Sequence, residues 1–323
     1  MNIELLSHFM NLKSYQEIEQ EIYSFLSAAK EPLLVVVGPT ASGKTKLAVK
    51  LARKFNGEVI NADSRQVYQE MKIGNELTKP EEMEGIPHHL LGVYPLSHNL
   101  SVAEYKKTAE DLIDDILQRW KVPILCGGTF LWVDAVVDNF QIPEGKPDYG
   151  FRNELEKLSI DELLVKLDKV DPDEAEHLGT ERNKRYIIRA LEIFALTGKK
   201  KSVLAQKASR KYHVFKLAPY LEREEIYRRI NERTKYQFEH GMVPEVQALV
   251  DKYAGGSPKR LLELGWPGIS SIGCKEVLPF LEGEKNAEET LEKLRKNNRN
   301  YAKRQLTWLR KDEEIHWIAD PNE

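Results

Sequence analysis

The sequence has only two cysteines and no long apolar run, and both absences exclude classes of protein. Cys126 and Cys274 lie far apart without the spacing of metal ligands, which argues against a disulfide framework and against a zinc site. No stretch reaches the roughly 18 consecutive apolar residues that a membrane-spanning helix requires. The N-terminal segment, with Glu4 early and no basic stretch before an apolar one, is unlike a secretory signal. We therefore expect a cytoplasmic protein with no membrane partner.

The chain also lacks an excess of positive charge. Its formal net charge is −3, which argues against a general nucleic-acid binder, but the charge is unevenly distributed. Ten Lys or Arg residues and a single acid lie between Arg182 and Lys211, and eight with no acid lie between Lys293 and Lys311. Such blocks are commonly solvated faces of helices. Because the second block contains no acids with which to form ion pairs, we favour a polyanionic partner for it.

The strongest motif begins with the apolar run Leu33–Val37, whose β-branched residues predict a central parallel strand covered on both faces. Gly38 and Gly43 then bracket a turn that leads into a helical pattern. The segment matches the P-loop pattern Gly-x-x-x-x-Gly-Lys-Thr, in which loop amides and the start of a helix face a phosphate group. The predicted phosphate cradle consists of Gly38, Pro39, Thr40, Ala41, Ser42, Gly43, Lys44 and Thr45.

Within this cradle, Lys44 would supply a point charge and Thr45 could ligate Mg²⁺. The alternative is a simple glycine turn between strand and helix, which the flanking strand and helix patterns disfavour. P-loops occur in kinases, NTPases and other enzymes that handle a diphosphate, so the motif does not identify the substrate.

A second strand, Glu58–Ser64, places Asp63 at the edge of the sheet where open α/β sheets bind ligands. Asp63 could cap the following turn, ligate Mg²⁺ through water or act as a general base. The strand Val122–Cys126 leads into Gly127-Gly128-Thr129 instead of an acid, which weakens the assignment as an NTPase. These glycines allow close approach of the backbone, and Thr129 offers a hydroxyl to a polar group or phosphate.

The remaining patterns divide the chain. Breakers after Phe140 mark a boundary, and the patterns beyond it predict only helices, at 151–158, 160–170, 172–177 and 183–197. Val214–Leu217 looks like a strand that returns to the sheet. We therefore predict an α/β fold: a P-loop NTPase-like parallel sheet flanked by helices. Residues 1–140 and 212–323 would form this core with helical C-terminal segments at 223–238, 244–253 and 287–310, and 141–211 would be an inserted all-helical domain.

Two further segments bear on the site. The adjacent His88 and His89 suggest a metal, but sequence neighbours do not share a helix face and no third ligand is spaced nearby, so we do not favour one. A capping box at Ser14 and Glu17 predicts a helix before the first strand, packed on the sheet.

Several motifs together resemble one family, the tRNA dimethylallyltransferases, also called tRNA isopentenyltransferases. The resemblance covers nearly all of the chain after residue 32. The motifs that carry it are Gly38 to Thr45, Asp63-Ser64-Arg65-Gln66-Val67-Tyr68, Met71-Lys72-Ile73-Gly74, Gly85-Ile86-Pro87-His88-His89-Leu90-Leu91, Gly127-Gly128-Thr129, Ile187-Ile188-Arg189-Ala190-Leu191-Glu192, Leu196-Thr197-Gly198-Lys199, Ile272-Gly273 with Lys275-Glu276, and Ala302-Lys303-Arg304-Gln305-Leu306-Thr307-Trp308-Leu309-Arg310.

The resemblance implies transfer of a dimethylallyl group from dimethylallyl diphosphate to N6 of the adenosine at position 37 of tRNA, next to the anticodon. The P-loop would hold the diphosphate, with Lys44, Thr45 and Mg²⁺ stabilising the charge that develops on it. It further implies that Asp63 accepts the proton of the attacking amine, that Thr129 lies at the reacting centre and that Arg223 contacts the diphosphate.

The acceptor base would have to be flipped out of the anticodon loop to reach the P-loop. The resemblance assigns the RNA contacts to the two basic blocks and to the residues around Asp63. The residues so implied are Asp63, Ser64, Arg65, Gln66, Arg185, Arg189, Lys275, Lys303, Arg304, Gln305, Trp308 and Arg310.

The chain departs from the family pattern at a few positions. Asn75-Glu76-Leu77-Thr78 stands where the family usually has Thr-Ala-Lys-Pro, Trp132 replaces a tyrosine, Tyr186 an arginine and Cys274 a tyrosine. These departures concern the base pocket and the grip on RNA.

Three alternatives stay open. An adenylate isopentenyltransferase, which modifies free AMP, ADP or ATP, would have no use for the basic tail. A P-loop small-molecule kinase would leave the basic blocks unexplained, and a non-enzymatic RNA-binding protein would not need Lys44, Thr45 and Asp63 together. We expect a monomer.

Overall fold

The computed structural model describes residues 12–142, 148–204 and 209–319. In this part of the chain a seven-stranded, wholly parallel sheet has the order β1-β7-β6-β2-β5-β3-β4, which confirms the predicted α/β class. The strands are β1 (Leu12–Lys13), β2 (Pro32–Val37), β3 (Gly57–Asn61), β4 (His88–His89), β5 (Val122–Gly127), β6 (His213–Pro219) and β7 (Ile315–Ile318).

Loops and turns connect the elements of the described chain, and helices flank this sheet. They are α1 (Tyr15–Ala28), α2 (Lys44–Lys54), α3 (Pro80–Met83), α4 (Val102–Gln118), α5 (Phe130–Val137), α6 (Tyr149–Glu156), α7 (Ile160–Asp168), α8 (Pro172–Glu181), α9 (Lys184–Thr197), α10 (Lys201–Leu204), α11 (Arg223–Gln237), a π-helix (Phe238–Met242), α12 (Val243–Ala254), α13 (Pro258–Glu263), α14 (Cys274–Leu281) and α15 (Ala287–Leu309). Among the described helices, none is both long and apolar enough to span a membrane.

Strand β2 lies inside the sheet between β6 and β5, and its apolar run is buried along its whole length. Ile18 and Ile22 of α1 pack into the same apolar core as Leu47 and Leu51 of α2. These side chains cover β2, as the apolar run of this strand predicts. The capping box that starts α1 is present as predicted, with Ser14 and Glu17 bonding to each other's backbone amides. The predicted return of the chain to the sheet is also confirmed, because β6 pairs with β2.

The described chain falls into two compact units. One comprises residues up to Ser101, Lys107–Val133 and residues from Tyr212 onward, and contains the sheet. The other comprises Val102–Lys106 and Asp134–Lys211, and its core consists of apolar residues of α6 to α9. All four helices predicted there are present, and Gly198 ends α9 in the left-handed conformation. The division of domains at 140/141 stays a prediction.

Three short strands have no counterpart in the sequence analysis. β1, β4 and β7 have two to four residues each, too few to show a period of two. β4 contains the two adjacent histidines. His89 Nε2 lies 2.8 Å from Glu58 Oε2, and His88 Nδ1 lies 2.8 Å from the carbonyl oxygen of Ile86, so each ring already has a partner inside the protein.

Glu58 of β3 is the centre of a buried ion cluster. Its side chain is 3% exposed, and Arg119 and Lys121 both donate to it alongside His89. The Arg119 guanidinium, with Lys121 and His89, holds the pKa of Glu58 well below its usual value, although burial opposes this shift. A carboxylate with a lowered folded pKa stabilises the fold above its unfolded pKa, and that stability is lost as the pH falls.

We expect Glu58→Gln to lower the free energy of unfolding by about 2–3 kcal/mol at pH 7, less than the roughly 3–5 kcal/mol of a fully buried pair because Arg119 and Lys121 can still be hydrated. Urea titration measures this change. The matched control is Asp115→Asn, because the exposed Asp115 pairs with the same Arg119 and its loss should cost less than about 1 kcal/mol. The wild-type protein should also lose stability as the pH falls below about 4.5. Equal effects of the two variants would contradict this account.

Candidate active site

A cavity of about 520 Å³ lies at the carboxyl ends of β2, β3 and β5. This is the edge at which parallel α/β sheets bind ligands, because the loops that leave neighbouring strands meet there. The side chains on its wall come from the P-loop, from the segments after β3 and β5, and from α11, α14 and α15. The lining residues for which the sequence analysis proposed a role are Thr40, Lys44, Asp63, Ser64, Arg65, Gln66, Gly128, Thr129, Lys275, Arg304, Gln305 and Trp308.

The P-loop after β2 has the strained geometry that its glycines predict. Gly43 has φ 88° immediately before α2, and Ala41 has φ 66°, which a residue with a side chain rarely adopts. A Cβ at Gly38 would lie 2.6 Å from Ser42 Oγ, so a larger residue there would force the Ser42 side chain to shift. Ser42 is fully buried and its hydroxyl has no hydrogen-bond partner within the described residues. The loop therefore holds a polar group that a ligand could satisfy.

Asp63 follows β3 in a turn whose hydrogen bonds are made. The amide of Arg65 donates to Asp63 Oδ1 at 2.9 Å, and the amide of Asp63 donates to Asn61 Oδ1 at 3.1 Å. The capping role that the sequence left open is therefore present. It does not exclude the other roles, because one carboxylate accepts several bonds and Asp63 also lines the cavity.

Thr129 joins the ends of β3 and β5. Its Oγ1 accepts the amide proton of Ser64 at 2.9 Å and lies 3.2 Å from Ser64 Oγ, while its own amide donates to the carbonyl oxygen of Ala62. The preceding glycines serve contacts inside the protein: a Cβ at Gly127 would lie 2.2 Å from the Ala62 backbone, and one at Gly128 would lie 2.3 Å from Gln305 Nε2. The Gly127-Gly128 backbone therefore closely approaches other atoms, as expected, but these atoms belong to the protein itself.

Tyr301 of α15 lies beside these residues, and the sequence analysis did not assign it a role. Its hydroxyl donates to the carbonyl oxygen of Gly128 at 3.4 Å and it lines the cavity. Burial, together with the nearby carboxylate of Asp63, raises the pKa of Tyr301, so its hydroxyl stays protonated. The tyrosine therefore places a protonated hydroxyl, whose oxygen can still accept a hydrogen bond, next to Asp63 and Thr129.

Part of the cavity wall is apolar. Trp308 of α15 stacks on Phe130 with ring centroids 4.0 Å apart and an interplanar angle of 3°. Leu131 lies next to this pair, lines the cavity and is 56% exposed. An exposed leucine beside two stacked rings is suited to an apolar group of a ligand or to a base.

Arg233 is the main cation of the site that the sequence analysis missed. Its guanidinium donates to Thr40 Oγ1 of the P-loop at 2.8 Å and to the carboxylate of Glu76, while its Nε is buried without a partner in the described chain. A signal was available: Ile226 and Ile230 form the buried stripe of α11, and Arg233 follows one turn later on that face.

The segment that departs from the family pattern forms part of the same wall. Glu245 of α12 accepts the amide protons of Ile73 and Gly74 at 2.8 Å each. Asn75 Nδ2 donates to the carbonyl oxygen of Arg65, and Glu76 adopts φ 54° as it pairs with Arg233. Gly74, Asn75 and Glu76 line the cavity, so the departure changes the site itself.

Other residues that the resemblance implies do not line this cavity. Lys303, Arg310 and Arg223 are exposed outside its wall, and the guanidinium of Arg223 lies over the ring of Tyr227. Thr45 is half-buried in the first turn of α2.

In the helical unit, Arg185 is exposed, whereas Arg189 forms an ion pair with the fully buried Glu192, which also binds Arg152. Arg189 therefore has a partner inside the protein.

A family model described as IPP transferase matches residues 66–312, which is well over half of the chain. The chain belongs to the IPP transferase family. This membership confirms the family that the motifs indicate.

Individual relatives are similar to this chain over most of their length. A tRNA dimethylallyltransferase from Anoxybacillus flavithermus is 40% identical over 293 residues, which cover 89% of this chain and 90% of the relative. The crystal structure of a tRNA isopentenylpyrophosphate transferase from Bacillus halodurans is 38% identical with a TM-score of 0.66, covering 90% of each chain. A eukaryotic dimethylallyltransferase acting on tRNA is 30% identical with a TM-score of 0.77, covering 90% of this chain and 74% of that one.

Proposed function

We propose that this IPP transferase transfers a dimethylallyl group from dimethylallyl diphosphate to N6 of the adenosine at position 37 of tRNA. The observation that carries the proposal is the composition of one cavity. The cavity is lined by the P-loop lysine Lys44 and the carboxylate Asp63. Cations of α14 and α15 line the same cavity. Lys44 suits a diphosphate leaving group, Asp63 suits the role of proton acceptor, and the cations suit an RNA substrate.

The donor's diphosphate would lie at the start of α2. The first amides of a helix have no partners within it, and the positive end of the helix dipole favours an anion there. Lys44 and Arg233 add positive charge beside the P-loop. This positive charge stabilises the negative charge that develops on the leaving diphosphate. Arg223 stays a proposed contact of the donor, from its place at the exposed start of α11.

We further propose that Mg²⁺ accompanies the diphosphate. Mg²⁺ keeps several waters and takes few protein ligands beside substrate phosphates, so the hydroxyls of Thr45 and the buried, unpartnered Ser42 suit it. Groups of three His, Cys, Asp or Glu that could hold a metal by themselves are absent from the described residues, which agrees with an ion that enters with the donor. When bound, it would neutralise charge on the diphosphate oxygens.

In the reaction, the N6 amine attacks the allylic carbon, a C–N bond forms and the C–O bond to the diphosphate breaks. The electron pair of the broken bond leaves with the diphosphate, and the proton lost by the amine goes to the carboxylate of Asp63. Thr129 and Tyr301 line the same cavity as Asp63, and their hydroxyl oxygens would accept hydrogen bonds that orient the amine. The stacked Phe130 and Trp308 with Leu131 would take the flipped base or the prenyl group.

The RNA would approach along α15. Arg304 and Lys275 line the cavity, while Lys303 and Arg310 are exposed on the same helix as Arg304 and can meet phosphates farther from the base. Arg65 and Gln66 already donate to the protein, to the carbonyl oxygens of Pro267 and Glu76, and would present their remaining donors. Arg185 and Arg189 in the helical unit are proposed as further contacts. A substrate of this kind agrees with a cytoplasmic protein, which we propose acts as a monomer.

The decisive experiment offers labelled dimethylallyl diphosphate with total tRNA in one reaction and with AMP in another. We expect label in tRNA only, and nuclease digestion should recover it as N6-isopentenyladenosine. Transfer to AMP alone would show an adenylate isopentenyltransferase instead. Release of phosphate from ATP without transfer would favour a kinase or an NTPase.

We expect replacement of Lys303, Arg304 and Arg310 by Ala to weaken binding of an anticodon stem-loop while the affinity for dimethylallyl diphosphate is unchanged. Each lost phosphate contact should flatten the slope of log K against log salt by about 0.7–0.9, so the triple variant should lose roughly two units or more. Filter binding over a range of salt concentrations measures the slope. The control replaces three exposed cations outside α15, Lys259, Arg260 and Lys285. An unchanged slope would mean that the three α15 residues do not touch RNA.

A further inference from the structure

Gln305 is buried although it lies in the basic segment of α15. Only 2% of its surface is exposed, and both ends of its amide are used inside the protein. Oε1 accepts the amide proton of Thr40 in the P-loop at 2.9 Å, and Nε2 donates to the carbonyl oxygen of Gly128 at 2.9 Å. One side chain thus connects the loop after β2 with the loop after β5.

The surrounding contacts are built for this bridge. Gly128 has no side chain at the point where a Cβ would lie 2.3 Å from Gln305 Nε2. On the P-loop side, Ala41 is held at φ 66° while it packs against the apolar cluster of α11 and α15 that includes Ala302 and Leu306. Three successive inward positions of α15 therefore hold one side of the P-loop.

The bridge also selects which amides can face a phosphate. The amide proton of Thr40 is turned to Gln305, and that of Ser42 is turned to the carbonyl oxygen of Pro39. The donors that these two bonds leave for an anion include the amides at the start of α2, next to Lys44. The same glutamine, through Gly128, fixes the residue that precedes Thr129 at the reacting centre.

We propose that Gln305 is a positioning residue of the donor site and not an RNA contact: it sets the distance between the diphosphate cradle and the Gly128-Thr129 segment. The inference rests on the proposed function for the identity of the donor. Its core, a glutamine of α15 that shapes an anion site in the P-loop, can be tested with inorganic diphosphate alone.

The experiment compares Gln305→Leu with Thr307→Ala, an exposed position of the same helix whose hydroxyl bonds only to the Lys303 carbonyl oxygen. Calorimetry measures binding of inorganic diphosphate with Mg²⁺ in the absence of RNA, and filter binding measures the anticodon stem-loop in the absence of donor. For Gln305→Leu we expect the diphosphate affinity to fall about tenfold, the effect of one or two lost hydrogen bonds, and the RNA affinity to be unchanged. Thr307→Ala should change neither affinity. A loss of RNA affinity with unchanged diphosphate affinity would overturn the proposal, as would no effect at all.

Gln305→Glu separates positioning from a general loss of packing. A protonated carboxyl can accept from Thr40 and donate to Gly128 as the amide does, whereas the carboxylate cannot donate. Because burial raises the pKa of a carboxyl group, lowering the pH from 8 to about 5.5 should protonate it. The ratio of the variant's diphosphate affinity to that of the wild type should therefore rise toward one as the pH is lowered. A ratio that stays flat would contradict the bridge, even if Gln305→Leu is too unstable to measure. If the bridge holds but wild-type protein fails to modify tRNA, only the proposed function is lost.

Discussion

Asp63→Asn should slow dimethylallyl transfer by roughly 10²–10⁴-fold, the usual contribution of general base catalysis, while both substrates still bind. The structure sharpens this expectation, because the hydrogen bond from the Arg65 amide to Asp63 Oδ1 can be accepted equally by an asparagine oxygen. The turn should therefore survive the substitution. What asparagine cannot do is take the proton of the N6 amine as the C–N bond forms.

Single-turnover rates at saturating donor and tRNA, measured over a range of Mg²⁺ concentrations, distinguish the three roles of Asp63. A base gives a slow step that added Mg²⁺ does not relieve. A metal ligand gives a defect in metal-dependent donor binding that Mg²⁺ partly restores. Asp111→Asn is the matched control, since it makes the same change at an exposed carboxylate that does not line the cavity. A near-normal rate for Asp63→Asn would remove this residue from the mechanism.

The sequence predicts the centre of the fold well because its signals there are local. Leu33–Val37, with a glycine turn and a lysine-led helix behind it, forms the buried β2, the P-loop and α2 with shifts of one or two residues at the ends. Gly198 and the capping residues of α1 likewise act over a few positions. These elements need no knowledge of distant contacts.

The elements that the sequence analysis missed depend on distant partners. β7 is a four-residue strand near the end of the described chain that pairs with β6 and β1, and β1 is only two residues long. Lys216 in β6 is 5% exposed and would argue against a central strand by itself. It is tolerated because Asp312 and Glu314, just before β7, neutralise it at 2.8 Å each.

The candidate site also contains residues that local sequence signals predict and a residue that depends on side-chain pairing in the folded chain. Asp63 and Thr129 follow the ends of β3 and β5, and Lys44 ends the loop that leaves β2, so the rule for parallel sheets brings them together from sequence alone. Arg233 was harder to choose, because α11 also contains Arg228 and Arg229. In the folded chain these two bind Glu225 on their own helix, which leaves Arg233 on the face toward the P-loop. Side-chain pairing, which the sequence cannot resolve, selects the arginine of the site.

Lys44→Ala should weaken binding of dimethylallyl diphosphate by about 10- to 100-fold, the range expected from loss of a charge-assisted hydrogen bond worth roughly 1.5–3 kcal/mol. Lys44 begins α2 after the left-handed Gly43 and lines the cavity, and within the described chain its ammonium group forms no ion pair. Its charge is therefore available to a ligand. Alanine is a good helix former at this position, so the fold should be retained.

Calorimetric titration with the donor and Mg²⁺ measures the loss, and circular dichroism confirms that the variant is folded. Lys46→Ala is the matched control, because Lys46 is exposed in the first turn of the same helix and does not line the cavity. It changes the net charge by the same amount, so any general electrostatic effect on an anionic donor appears in both variants. Only a direct contact makes Lys44→Ala the weaker binder, and its deficit should persist at high salt, where screening removes the long-range contribution. Equal affinities of the two variants would mean that the P-loop lysine does not hold the diphosphate.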